Sequence, residues 1–123
     1  MCLDPTDSTY KCEPDGAILD LSSCGISDED VESGALGSCF NASGPGDILA
    51  LYLGDNDLTT LPEEIFLNFT AVDSLDLGGN DFSTLPEGIF QNLANMVTLY
   101  LRDNDFTTLP EGIFQGITDC GWV

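Results

Sequence analysis

Apolar and polar positions follow one pattern that occurs three times along the chain, at a constant offset of 24 residues. The copies cover residues 48–71, 72–95 and 96–119. The apolar positions of the middle copy are Val72, Leu75, Leu77, Phe82, Leu85, Ile89, Phe90 and Leu93. A fixed period of this length is typical of stacked structural repeats, in which each copy buries its apolar side against its neighbours.

Each copy predicts a short strand, a turn and a return segment. Two leucines spaced by one residue have the period of a strand, so both are expected to face the core. Such strands, repeated along the chain, should pair in parallel. A Leu-Pro pair then stops the strand pattern, because proline fixes φ and donates no hydrogen bond. The following Ile-Phe pair is expected to return to the core, as one turn of 3₁₀ helix or a short extended run.

An asparagine follows the strand in every copy, at Asn56, Asn80 and Asn104. Its amide can both donate and accept hydrogen bonds, so it is expected to satisfy main-chain groups that the bend leaves open. The three residues are therefore predicted to form a structural asparagine ladder inside the solenoid.

This combination of residues resembles the leucine-rich repeat family, specifically the 24-residue "typical" class of extracellular repeats. The LPEGIF segment is similar to the corresponding segment of variable lymphocyte receptors. The resemblance covers residues 48 to about 119. It implies an α/β solenoid with a short parallel sheet on its concave face and 3₁₀ or extended segments on its convex face.

A weaker copy precedes the regular ones at an offset of 32 residues, where Leu19 aligns with Leu51. Cys24 then takes the place of the ladder asparagine, a substitution known in the family. We predict an irregular repeat over residues 18–45, with a short helical turn beginning at Asp28. The expected organisation is a cysteine-containing N-terminal cap at 1–47, three repeats at 48–119 and a short C-terminal end at 120–123, where Trp122 is a candidate lid.

The five cysteines flank the regular repeats, at Cys2, Cys12, Cys24, Cys39 and Cys120. This layout favours disulfide-stapled ends in an oxidising compartment. Zinc is the weaker alternative, because the chain has no CxxC pair and no histidine. We expect the pairs Cys2–Cys12 and Cys24–Cys39, with a buried, unpaired Cys24 as the alternative. Cys120 is a candidate for an intermolecular disulfide.

Two N-glycosylation sequons begin at Asn41 and Asn68. Together with the cysteines they predict a secreted, extracellular or secretory-lumenal glycoprotein. Met1 leads directly into the sequence CLDP without a signal peptide, which is consistent with a mature or trimmed form; if the chain is complete as given, the secreted assignment loses its most direct support. No stretch approaches the roughly 20 apolar residues of a membrane helix, so membrane insertion is not expected.

Acidic residues outnumber basic ones by 22 to 2, which gives a net charge of −20. Phosphate binding needs clustered lysine and arginine, so nucleic acids and anionic membranes are not expected partners. Cationic partners and calcium stay open. The lack of histidine excludes Ser-His and Cys-His catalysis, and an open solenoid offers carboxylates no pocket. We therefore predict neither enzymatic activity nor a cofactor.

Residues between the core leucines should point outward in columns across the concave face. The candidate partner-binding residues are Tyr52, Asp55, Ser74, Asp76, Thr98, Tyr100, Arg102 and Asp103. Tyrosine is enriched at interface hot spots, which makes the two tyrosines the best anchors. Arg102 would pair with an acidic group of a partner. The alternative is a plain solvated face, on which Arg102 offsets Asp76 and Asp103.

Aspartates also follow the ladder directly, at Asp57, Asp81 and Asp105. They are weak calcium candidates, because calcium prefers carboxylate and carbonyl oxygens. A solvated acidic ridge is the favoured interpretation, and we predict no metal site.

The predicted function is a non-enzymatic protein-binding module that presents its concave face to a macromolecular partner, with a basic partner surface among the options. The alternative is a structural or accessory subunit that contacts its neighbours in a larger extracellular or lumenal assembly. An acidic, calcium-associated matrix protein is the lesser alternative.

Overall fold

The computed structural model describes residues 16–33, 36, 47–117 and the backbone of 121–122. Its elements are the strand β1 (Ile18–Asp20), the helix α1 (Asp28–Glu32), and the strands β2 (Ala50–Tyr52), β3 (Ser74–Asp76), β4 (Thr98–Tyr100) and β5 (Gly121–Trp122). The strands form one parallel sheet in chain order. We call each copy of the sequence pattern a coil: the first is residues 18–45, the second 48–71, the third 72–95 and the fourth 96–119.

The strand register confirms both predicted offsets. Leu19 lies opposite Leu51, Leu51 opposite Leu75, and Leu75 opposite Leu99. These leucines are at most 3% exposed. The extra eight residues of the first coil therefore lie outside the strand. The predicted parallel solenoid is confirmed.

The core lies between the sheet and the convex turns. Phe66, Phe69, Phe82 and Phe90 are among its largest fully buried side chains. Rings in successive coils stack on each other: Phe82 on Phe106 at 6.4 Å between centroids, and Phe90 on Phe114 at 6.1 Å. Phe106 and Phe114 are only partly buried. Packing between coils thus continues into the fourth coil, which is covered less completely than the third.

The convex side is built of hydrogen-bonded turns that begin at the Leu-Pro pairs. The carbonyl oxygens of Pro62, Pro86 and Pro110 each accept a bond from the N–H three residues later, at 3.2 Å. Proline suits this position, because its carbonyl is used and its missing N–H is not needed. The predicted chain reversal at Leu-Pro is present in all three regular coils.

The helix α1 is the predicted helical turn of the first coil. It begins after Ser27, whose N–H and hydroxyl donate to the Asp30 carboxylate at 2.9 and 3.1 Å. The Asp28 carboxylate accepts bonds from the N–H groups of Thr59 and Thr60, at 2.9 and 3.3 Å, and from the Thr59 hydroxyl. The helix is therefore attached to the second coil through Asp28.

At the C-terminal end the chain adds one more strand to the sheet. The backbone of Gly121–Trp122 joins the sheet as β5, with Gly121 opposite Thr98 and Trp122 opposite Leu99. The sheet is thus continued by a fifth strand in the same direction. In the described part of the chain, no helix is long and apolar enough to cross a membrane.

Four of the cysteines and one sequon lie outside the described residues: Cys2, Cys12, Cys39, Cys120 and Asn41. Cys24 is partly buried and packs against the core. The disulfide pairing and the stapled cap remain predictions.

Candidate functional site: the concave strand face

The strands bring the predicted partner-binding residues together on the concave face. Tyr52 lies opposite Asp76, and Asp76 opposite Tyr100. Tyr52, Ser74, Asp76, Thr98 and Tyr100 are half-buried, whereas Asp55, Arg102 and Asp103 are exposed. Ala50, at the edge of the same face, is only 8% exposed. A row of large and charged side chains therefore crosses three neighbouring strands.

A central recess opens in this face where the third coil has two consecutive glycines. It has a volume of about 210 Å³, and it is lined by Asp55, Asp76, Gly78, Gly79, Arg102 and Asp103. The corresponding positions carry side chains in the fourth coil, so the glycines form the floor and the next coil forms one wall. The recess exposes mainly polar groups.

A side chain at either glycine of the floor would be crowded. A β-carbon at Gly78 would lie 3.1 Å from the backbone oxygen of Arg102, and one at Gly79 would lie 2.1 Å from an Asp55 carboxylate oxygen. Gly79 also has φ +69°, in the left-handed region that disfavours other residues. Any larger residue would move the Asp55 side chain and reduce the recess.

The left-handed conformation recurs at the same position of every coil, which the sequence analysis missed. The φ values are 54° at Ser23, 55° at Asp55, 69° at Gly79 and 58° at Asp103. Aspartate, asparagine and glycine tolerate this region better than other residues. The backbone is thus one reason for an aspartate at positions 55 and 103. The sequence feature that could have indicated this left-handed conformation is the glycine, aspartate or serine directly before each ladder position.

The charges of this face are not paired with each other. The guanidinium carbon of Arg102 lies 5.6 Å from the centre of the Tyr100 ring, a cation–π geometry. No acidic side chain among the described residues forms an ion pair with Arg102. The carboxylate of Asp76 accepts only the N–H of Gly78, at 2.8 Å. Direct offsetting of Asp76 or Asp103 by Arg102 is therefore absent from this structure.

The asparagine ladder holds the bend beneath the recess. The amide nitrogen of Asn80 donates to the carbonyls of Leu53 and Leu77, both at 3.1 Å, and its oxygen accepts the N–H of Leu58 at 3.2 Å. Asn80 is 4% exposed. Asn56 and Asn104 make the same kind of bonds, to their own coil and to the preceding one.

The remaining candidate residues lie away from this face. Asp57, Asp81 and Asp105 are exposed beside the ladder, and their N–H groups donate to the preceding coil at 2.8 to 2.9 Å. Within the described ranges, no group of three metal-ligating side chains is close enough to hold an ion. Asn68 is exposed on a convex turn.

Solved structures with the same architecture include the leucine-rich repeat domain of APL1B, with a TM-score of 0.68 and 23% sequence identity over 87% of this chain. TLR13, solved in complex with ssRNA13, has a TM-score of 0.67 and 24% identity over 85% of this chain. The LRIM1/APL1C complex gives 0.65 and 26% identity over 86%. This chain spans 32%, 14% and 20% of those chains, respectively.

No curated protein sequence matches this chain. The sequence profile of the Leucine rich repeat family matches it at residues 48–106 and again at 74–119. These segments contain all three regular coils, including the strands β2, β3 and β4 that form the middle of the concave face. The chain belongs to the leucine-rich repeat family.

Proposed function

We propose that this protein is a binding module that presents its concave strand face to a protein partner. Leucine-rich repeat domains are typically protein-binding modules, which supports the general assignment. The observation that carries the proposal is the contrast between the two sides of the strands. The inward leucines are the same in every regular coil, whereas the outward column changes from Tyr52 to Asp76 to Tyr100.

The two tyrosines are the proposed anchors of the interface. They flank Asp76 on neighbouring strands, so their backbones lie about 10 Å apart, twice the strand spacing. Tyrosine combines a large apolar area with a polar group and loses little conformational freedom on binding. Both side chains are already half-buried, which limits their motion before a partner arrives. Asp55, Ser74, Thr98, Arg102 and Asp103 would complete the polar surroundings.

Rigidity supports the same role. The asparagine ladder fixes the backbone under the face, and the phenylalanine stacks hold successive coils together. A face that is already ordered loses less conformational entropy on association. The proposal includes the expected organisation, with a cap at 1–47, the repeats at 48–119 and a short C-terminal end at 120–123.

We place this binding role outside the cell or in the lumen of the secretory pathway. The cysteine layout and the exposed position of Asn68 support this location. The proposed chemistry is disulfide bonding of the cap, including Cys24, and glycosylation at the sequons. Intact-mass measurement of secreted material before and after glycosidase and reductant would test both modifications.

The binding face can be tested with a photo-crosslinking amino acid placed at Thr98 on the concave face, in the full chain. Native extracellular fluid then serves as the source of partners. We expect the crosslinker at Thr98 to capture one protein at a constant ratio to this chain. The same crosslinker at Gln115, an exposed convex position, should capture none. Tyr100→Ala should weaken capture about tenfold or more, because buried aromatic anchors dominate interface energy.

Two results would contradict the proposal. The first is capture from Gln115 but not from Thr98, which would favour the structural or accessory subunit. The second is capture from Thr98 that Tyr52→Ala and Tyr100→Ala both leave unchanged. The thermal midpoints of the variants must match the parent, so that a folding defect is not read as lost binding.

A further inference from the structure

We propose that the partner docks on the concave face through an extended, positively charged segment that inserts one lysine or arginine side chain into the central recess. This inference rests on the proposed binding function and adds the chemistry of the partner. The occupant would lie across β2, β3 and β4, with its cationic side chain between Asp55 and Asp103 and its neighbouring residues against Tyr52 and Tyr100.

Charge complementarity is the first argument. Asp55, Asp76 and Asp103 line the recess together with a single cation, Arg102. Arg102 is held over the Tyr100 ring and forms no ion pair with them. Three carboxylates therefore face one concavity with no cationic partner among the described residues. A cation supplied from outside would relieve their mutual repulsion and gain charge-assisted hydrogen bonds.

The shape of the face supplies the second argument. The glycine floor lets the carboxylates of Asp55 and Asp76 lie close to the backbone of the third coil, where a side chain would otherwise stand. A volume of about 210 Å³ admits a side chain but not a folded element. The rest of the concave face carries half-buried strand residues, which favour contact with an extended segment. The shape of the face therefore favours an occupant that has an extended backbone and inserts one side chain.

A protein segment fits this face better than RNA does. TLR13, which has a similar fold, was solved in complex with ssRNA13, which makes RNA the competing class of occupant. Phosphate groups require clustered lysine and arginine, whereas this recess has three carboxylates and one arginine. The net charge of −20 would add long-range repulsion. The same charge accelerates the approach of a basic peptide.

The test uses a short synthetic peptide that alternates lysine and serine, with a glutamate–serine peptide and a single-stranded oligoribonucleotide as comparison probes. Binding to the full chain is measured by fluorescence anisotropy at low and physiological ionic strength. The recess variant is Asp55→Asn, Asp76→Asn and Asp103→Asn together. Asparagine tolerates the left-handed backbone at 55 and 103, and at 76 it still offers an oxygen to the Gly78 N–H.

The matched control removes the same three charges away from the concave face, by Glu29→Gln, Glu64→Gln and Glu111→Gln, all at exposed positions. A second variant, Gly78→Ala, narrows the floor without any change of charge. We expect the recess variant to weaken binding of the lysine peptide about tenfold, and the control to weaken it less than about twofold. Gly78→Ala should weaken it by an intermediate factor.

Equal weakening by the recess variant and its control would overturn the inference, because binding would then follow net charge alone. Tighter binding of the oligoribonucleotide than of the lysine peptide would overturn it in favour of nucleic acid. If Tyr100→Ala abolishes partner capture from Thr98 but the recess variant does not, the binding function stands and the cationic occupant is wrong. If neither position 98 nor any other concave position captures a protein, the binding function itself fails.

Discussion

The bend after the strand is stabilised by different residues in the first coil and in the regular coils. In the third coil, Asn80 bonds its own coil and the one before it. At the equivalent place the first coil has Cys24, whose N–H donates to Asn56 of the second coil at 3.0 Å. Asn56 also accepts the N–H of Ile26 at 2.9 Å and donates to the Leu21 carbonyl at 3.0 Å.

The comparison shows that the ladder has a direction. Each asparagine satisfies the coil on its N-terminal side, so the first coil receives its hydrogen bonds from the second. Cys24 is partly buried and packs against the core, and its N–H is bonded by the second coil. The ladder residues also differ in burial, since Asn56 and Asn80 are buried whereas Asn104 is only partly buried.

A second contrast separates the inside of the strands from the concave face. The inner leucines repeat because each must fill the same space against the next coil. The outward positions are free of that constraint, and they hold tyrosine, aspartate and arginine. The exception is the left-handed position at 55, 79 and 103, where the backbone also limits the choice of residue.

The largest effect is expected for Asn80→Ala, which tests how far burial sets the importance of a ladder residue. It would leave the Leu58 N–H and the carbonyls of Leu53 and Leu77 without this partner. The two carbonyls keep bonds from Asn56 and Asn104, whereas the buried Leu58 N–H is left unsatisfied. Such a group costs about 1–3 kcal/mol, so we expect a loss of about 2–3 kcal/mol in the free energy of unfolding, measured by urea denaturation. Asn104→Ala should cost less, because Asn104 is only partly buried and water can replace its bonds. Equal losses would show that burial does not set the importance of a ladder residue.

A medium effect is expected at the left-handed position. Gly79→Ala should lower the free energy of unfolding by about 1–2 kcal/mol, because a β-carbon is unfavourable at positive φ and would displace Asp55. Asp103→Asn at the equivalent place should change it by less than about 0.5 kcal/mol. Thermal unfolding of both variants checks this difference. A neutral Gly79→Ala would show that the backbone does not restrict the recess floor.

The smallest effect concerns the attachment of the first coil to the second through Asp28. Burial raises the pKa of the Asp28 carboxyl, but hydrogen bonds from Thr59 and Thr60 outweigh this effect, so the pKa lies below its ordinary value of 3.8. A lowered folded-state pKa means that the stabilisation is present above the unfolded pKa and is lost as the pH falls through the folded value. Asp28→Ala should therefore cost about 1 kcal/mol at neutral pH.

The same variant should approach the stability of the parent chain below about pH 4, where the parent loses the interaction too. Protonation of the other carboxylates acts on both proteins, so the difference between them isolates Asp28. Urea unfolding at several pH values provides the measurement. A difference that stays constant down to pH 2 would mean that Asp28 contributes nothing through its charge.

The fold could be predicted from the sequence because its signals are repetitive. The period of 24 placed Leu51, Leu75 and Leu99 in register, and the offset of 32 placed Leu19 beside them. The sequence also indicated the helical turn at Asp28. The finer assignment to the 24-residue extracellular class and the similarity to variable lymphocyte receptors remain predictions.

Features that depend on neighbouring coils were harder to predict. The outward columns follow from strand alternation, but the central recess exists only because Gly78 and Gly79 lie beside Arg102 and Asp103 of the next coil. The position of Arg102 over Tyr100 is a choice among side-chain conformations, which sequence spacing does not determine. At the C-terminal end, the pairing of Gly121–Trp122 as a fifth strand was not predicted, because no periodic pattern marks so short a segment.

The most direct test of the binding face is a map of backbone amide chemical shifts of the isotope-labelled chain, recorded before and after addition of the protein captured from Thr98. If the concave face binds, the largest changes will fall on β2, β3 and β4 and on the residues that line the central recess. The convex turns at 63–68, 87–92 and 111–116 will change little. Changes concentrated on those turns, with the concave strands unaffected, would contradict the proposed binding face.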